Sequence, residues 1–154
     1  MKFDKAVVLT SRNKITESTT LHIAAEGGHR DLVKILLEAG ASVSDETKKG
    51  HTPLHIAAQN GHVHVINEFA KHNVNLRMLS RRSGMGASHL AALYGEVEAL
   101  RELLTHIPSH LKSELPGDAV SSSVVQEFAT EYDLTPIHMA CYSGSDDVVI
   151  FATG

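Results

Sequence analysis

The chain has no tryptophan, only 5% of its 154 residues are aromatic, and it carries one cysteine. With so few rings, a core must be assembled from Leu, Ile, Val and Ala, and an apolar content of 42% is enough for one ordinary domain. A lone cysteine excludes an internal disulfide and fits a reducing, intracellular setting. No stretch approaches 18 consecutive apolar residues, so no segment reads as a membrane-spanning helix. The short run Ala6-Val7-Val8-Leu9 beside Lys2, Asp4 and Lys5 does not have the pattern of a secretory leader, and no Asn-x-Ser/Thr acceptor occurs. A net charge of −4 provides no overall cationic surface for nucleic acid.

What the chain does have is repetition. Thr19-Thr20-Leu21-His22-Ile23-Ala24-Ala25-Glu26-Gly27-Gly28-His29 returns as Thr52-Pro53-Leu54-His55-Ile56-Ala57-Ala58-Gln59-Asn60-Gly61-His62, so that His22 and His55 lie 33 residues apart. A third copy, His89-Leu90-Ala91-Ala92-Leu93-Tyr94-Gly95, follows 34 residues on, and a fourth begins at Asp133-Leu134-Thr135-Pro136-Ile137-His138. Self-similarity at this period means a stacked solenoid, in which each unit buries its apolar side against its neighbours. Within a unit, Leu21, Ala24 and Ala25 have helical spacing, a Gly28-His29 break follows, and a second apolar run comes after it (Leu32, Val33, Ile35, Leu36, Leu37). Each unit therefore reads as a short helix, a tight turn and a longer helix. Thr52 and Thr135 precede Pro53 and Pro136 as N-caps, with each proline in the first helical turn where its missing N–H does no harm. The paired small residues Ala24-Ala25, Ala57-Ala58 and Ala91-Ala92 let helices approach closely.

These motifs resemble the ankyrin repeat. The resemblance implies an all-α ankyrin-repeat solenoid of stacked helix-turn-helix units with hairpin fingers, the fingers falling near residues 42–50 and 74–84. It gives Thr19, His22, Thr52, Pro53, His55, His89, Thr135, Pro136 and His138 a structural role, each histidine ordering its loop through hydrogen bonds. The expected units are a tail of a preceding repeat at 1–12, repeats at 13–45, 46–79 and 80–104, an insertion loop at 105–132 with a helical turn near 124–128, and an incomplete repeat at 133–154. Both ends suggest a piece of a longer array.

The third repeat departs from the pattern. Gly86-Ala87-Ser88-His89 replaces Thr-Pro-Leu-His, so a hydroxyl occupies an inward Leu position and the repeat is expected to be the least stable of the first three. Cys141 occupies the second Ala position of the fourth repeat and is expected to be a small buried residue. Val148, Val149 and Ile150 are expected to be poorly covered.

The order of features narrows the resemblance. Asn13-Lys14-Ile15-Thr16, the two Ala-Ala-x-x-Gly-His runs, and Arg101-Glu102-Leu103-Leu104-Thr105 with a long insertion before the next Thr-Pro look like late repeats of NompC-type (TRPN) transient receptor potential channels. That likeness implies a cytoplasmic ankyrin array on an integral membrane cation channel, with a protein partner, cytoskeletal and microtubule-like, and a tethering role in mechanotransduction. A soluble adaptor joining two proteins is the alternative, and an enzyme targeted by its repeats is a third.

No chemistry-bearing constellation stands out. His62-x-His64 has no Cys, Asp or Glu set beside it, Pro108 separates His106 from His110, and Cys141 has no activating neighbour in sequence, so no catalytic residue, metal or cofactor is expected. The candidate partner surface consists of the basic finger residues Lys48, Lys49, Arg77, Arg81 and Arg82 and the residues that follow the paired alanines, Gln59, Asn60, Leu93 and Tyr94. Leu93 and Tyr94 have the composition of an interface anchor.

Overall fold

Each repeat turns between its two helices at a glycine with left-handed backbone (Gly28, Gly61, Gly95 and Gly144), and a threonine precedes the first helix in every repeat but the third, where Gly86 stands. The computed structural model describes residues 4–106 and 134–153. Helix α1 (Lys5–Thr10) is capped by Asp4, whose side chain accepts from the Ala6 N–H. Three complete helix pairs follow: α2 (Thr20–Glu26) with α3 (Arg30–Glu38), α4 (Pro53–Gln59) with α5 (Val63–Lys71), and α6 (Ala87–Leu93) with α7 (Val97–Thr105). A fourth pair is α8 (Pro136–Ser143) and α9 (Asp146–Thr153). The inner helices α2, α4, α6 and α8 pack successively on one another, and the outer helices α3, α5, α7 and α9 do the same behind them. Among the described residues there are no strands, only two isolated bridges, Arg12 to Thr19 and Leu79 to Gly86.

The core lies between successive repeats. Ala24, Ala25, Ala57, Ala58, Ala91 and Ala92 are all buried, which brings the inner helices close enough for Leu21, Leu54 and Leu90 to fill the remaining space. Burying a large aliphatic side chain contributes about 1.5–3 kcal/mol, so most of the stability resides in these inter-repeat faces. Ser88 takes the buried place that Leu21 and Leu54 hold in their repeats, as its position in the period predicts.

Three expectations meet a different outcome. Leu32 and Ile35 stay exposed, because α1 lies against α2 and leaves that side of α3 open. In later repeats the same registers are covered by the preceding outer helix: Val65, Ala99 and Val148 replace Leu32 and are buried. Val148 is therefore well covered, and of the three residues expected to fray only Ile150 is strongly exposed. Cys141 is exposed rather than buried. Ala25, Ala58 and Ala92 are buried at this position by the next inner helix, and α8 is the last inner helix among the described residues. The insertion reading at 105–132 lies outside the described residues from 107 onward, as do the expected turn at 124–128 and the start of the chain at 1–3.

The fingers are tight turns at residues 13–18, 46–51 and 80–85. In the first, the Asn13 side chain accepts from the Ile15 and Thr16 N–H groups; in the third, Ser80 Oγ accepts from Arg82 and Ser83. The expected fingers near 42–50 and 74–84 overlap the second and third of these turns, each of which runs one residue further; the first turn lies outside both.

Candidate functional site

Successive units are joined by the signature histidines. His22 Nδ1 accepts from the Thr19 N–H at 3.1 Å and contacts the Thr19 hydroxyl at 2.8 Å, while His22 Nε2 lies 3.0 Å from the His51 carbonyl oxygen. His55 repeats this with Thr52 and the Met85 carbonyl, and His89 reaches the Leu134 carbonyl at 2.8 Å. A carbonyl only accepts, so Nε2 carries the proton and Nδ1 is the bare nitrogen that the threonine N–H and hydroxyl approach. Burial lowers the pKa of all three, in His55 to about 4, against a smaller upward pull from the carbonyl. Thr135 and His138 make the same local pair, with His138 exposed.

Behind the inner helices the outer ones are joined by charge. Arg30 Nε donates to Glu68 Oε2 at 3.2 Å, and Lys71 Nζ lies 3.5 Å from the same oxygen. Glu68 is buried at the register that Ile35 holds in the first repeat. Burial pushes its pKa up, but the Arg30 hydrogen bond and the Lys71 charge outweigh that and hold it below the usual carboxylate value. Further along, the Arg101 guanidinium stacks on the Phe151 ring at 4.5 Å.

On the opposite side, the fingers and inner helices enclose an open groove of about 550 Å³. Five of the nine candidate partner residues line it: Lys48 and Lys49 from the second finger, Gln59 and Asn60 from the end of α4, and Tyr94 from the end of α6. Leu93, half-buried, does not line it, and neither do Arg77, ahead of the third finger, and Arg81 and Arg82 within it. The structure adds residues that sequence reasoning did not single out as partner contacts, chiefly Ile15, His51 and Ile56. Ile15 is 80% exposed. An aliphatic residue at a finger tip, where Asn13-Lys14 already marks a turn, was the available signal.

The groove does not have the furnishings of a reaction centre. His51 is its one imidazole; burial first and then the Lys49 charge lower its pKa, and its ring stacks on His55 at 6.3 Å between centroids. Among the described residues no group of three or more His, Cys, Asp or Glu side chains is arranged to hold a metal ion, and no helix is long and apolar enough to cross a membrane.

Residues 6–78 and 21–113 match, in two overlapping placements, a family model described as ankyrin repeats (3 copies). Among curated proteins, the chain is 30% identical over 146 residues to a probable E3 ubiquitin-protein ligase, XBOS32, of Oryza sativa subsp. japonica, an alignment covering 86% of this chain and 29% of that protein. It is 31% identical over 143 residues to the E3 ubiquitin-protein ligase XBAT33 of Arabidopsis thaliana, covering 86% and 28%. To the protein fem-1 homolog A-like of Mus musculus it is 28% identical over 136 residues, covering 85% and 20%. The chain thus spans less than a third of the length of these relatives. The period, the threonine–histidine pairs, the stacked helix pairs and the family match agree: the chain belongs to the ankyrin repeat family.

Proposed function

We propose that this chain is a non-catalytic segment that holds another protein in the groove between its fingers and inner helices. The observation that carries this reading is the groove itself, where exposed Ile15 and Tyr94 stand beside Lys48 and Lys49. Apolar side chains left open beside mobile charges are the makings of an interface core and rim. The test is to compare the proteins retained by the chain and by an Ile15→Ser/Tyr94→Ala variant, with Leu32→Ser/Ile35→Ser, on the outer helix, as the control. Retention of the same proteins by the groove variant sinks the reading.

The likeness to NompC-type arrays supports a finer version, in which the segment belongs to the cytoplasmic array of a mechanosensitive channel and acts as an elastic tether to a microtubule-like partner. A stack in which each repeat contacts only its neighbours suits such a role, since small rotations at every joint add along it. A soluble adaptor accounts equally well for the groove. The two readings separate on the sequence beyond Gly154: six apolar helices and a pore support the channel, and a stop after a polar capping repeat supports the adaptor. A catalytic domain there points to an enzyme that uses its repeats to hold a protein, the class into which the names of the two plant relatives fall.

A further inference from the structure

We infer that the groove is built for an extended, acidic stretch of a partner protein anchored by one bulky apolar residue. This rests on the protein-binding reading above and specifies what is bound.

The acidic character follows from how the second finger distributes its charges. Its acids are turned to neighbouring fingers: Asp45 pairs with Arg12 at 2.9 Å, and Glu46 Oε1 accepts the Arg81 N–H at 2.7 Å. The Glu46 carbonyl takes a further hydrogen bond from Arg12. Its cations are turned the other way. Lys48 and Lys49 are exposed, line the groove, and enter no ion pair among the described residues. Two ammonium groups at one wall, with their own acids occupied elsewhere, present uncompensated positive charge to a ligand. Glu26, across the groove on α2, is its one acidic lining residue, so the carboxylates of a bound segment belong at the finger end.

The anchor follows from the floor. Ile15, Ile56 and Tyr94 come from a finger, α4 and α6, and converge on one groove. An aliphatic or aromatic side chain seated among them removes apolar surface from water at about 25 cal/mol per Å². Tyrosine is also one of the residue types enriched at interface hot spots. The extended form follows from the polar groups at the end of α4. The Gln59 amide has no hydrogen-bond partner among the described residues, and Asn60 uses its Nδ2 on the Ile56 carbonyl, which leaves its oxygen to accept. A helix satisfies its own backbone; an extended segment offers N–H and C=O groups to such amides. A volume of about 550 Å³ accommodates a few residues of such a segment.

The experiment is selection of a random 12-residue peptide library on the 154-residue chain, followed by fluorescence polarisation of the selected peptides on variants whose folding is checked by circular dichroism. The expected winners carry two or more Asp or Glu and one Leu, Ile, Phe, Tyr or Trp. Lys48→Glu/Lys49→Glu and Tyr94→Ala each weaken them about tenfold or more, while Arg81→Glu/Arg82→Glu, on the next finger, leaves them within about threefold. Binding also weakens as salt rises. Selection of neutral or basic peptides, or equal binding by the Lys48/Lys49 variant, overturns the acidic assignment while the protein-binding reading stands. Equal binding by Tyr94→Ala overturns the anchor. Failure of the wild-type chain to enrich any peptide overturns both readings together.

Discussion

His55 Nε2 lies 2.9 Å from the carbonyl oxygen of Met85, so a single neutral imidazole joins helix α4 to the finger of the following repeat. Protonating it places a second N–H against the Thr52 N–H, which already donates to Nδ1 at 3.2 Å.

The consequence is a stability that depends on pH in a defined window. The folded-state pKa of His55 is lowered from 6.5 to about 4, mainly by burial. Between those values the unfolded chain takes up a proton that the folded chain refuses, so stability is full above about pH 6.5 and declines as pH falls toward 4. A displacement of this size corresponds to roughly 3 kcal/mol for His55, and His22 and His89 move in the same direction for the same reason. Urea titration is expected to give a midpoint that drops steadily from pH 7.5 to pH 4.5. A midpoint constant over that range is incompatible with neutral, buried imidazoles.

The close approach of His62 to the first repeat is tested by two glycines of equal backbone type. Gly28 and Gly40 both have positive φ, +68° and +91°. A Cβ at Gly40 meets nothing within 4 Å, whereas one at Gly28 lies 2.9 Å from the His62 ring, whose Nε2 is bonded to the Glu26 carbonyl at 2.8 Å. Gly40→Ala is expected to cost about 1–2 kcal/mol from backbone strain alone. Gly28→Ala must in addition displace the ring and break its bond, for about 1 kcal/mol more. Chemical denaturation of the pair measures the difference; equal losses mean that His62 yields freely.

The repeat architecture was legible because it is local and periodic. Helix pairs, threonine caps and buried alanines are set by residues three or four apart, and the period multiplies each signal. What escaped the reading depends on which repeat covers which. Cys141 occupies an alanine position yet is open, and Ile35 and Glu68 share one register with opposite burial. The first finger, too, was hidden: Glu17 takes the left-handed place, φ +59°, that Gly50 and Gly84 mark in the next two. Of the groove, the residues after the paired alanines were legible from the helix ends. Ile15 and Ile56 were not, because their neighbours come from other repeats.

Glu68 gives a prediction with a different pH signature. Its carboxylate is buried, while Arg30 and Lys71 are more than half exposed, so solvent screens the pairs and Glu68→Gln is expected to destabilise by about 1 kcal/mol near neutral pH. Because its folded pKa is lowered, this contribution is present above the ordinary value of 4.5 and is lost as pH falls through the lower folded value. The difference between wild type and Glu68→Gln is expected to shrink between pH 6 and pH 3. A difference that grows on acidification contradicts the assignment.

The third repeat lacks one bond that the others have. The threonine hydroxyl lies 2.8, 2.7 and 2.8 Å from the histidine Nδ1 at Thr19, Thr52 and Thr135, whereas at Gly86 only the backbone N–H reaches His89 Nδ1, at 3.1 Å. With Ser88 also in place of a leucine, amide exchange is expected to be faster in residues 86–104 than in 52–71. Gly86→Thr restores the hydroxyl at a φ of −96° that any residue adopts. Its Cβ meets Leu79 Cδ2 at 3.3 Å, the end of an exposed side chain that can turn away. Gly86→Ala supplies the Cβ and the reduced chain entropy without the hydroxyl, so the two variants separate the terms. Gly86→Thr is expected to exceed Gly86→Ala in stability by about 1 kcal/mol and to slow exchange in residues 86–104. Equal stability of the two variants removes the hydroxyl from the account and leaves Ser88 as the weakness of the repeat.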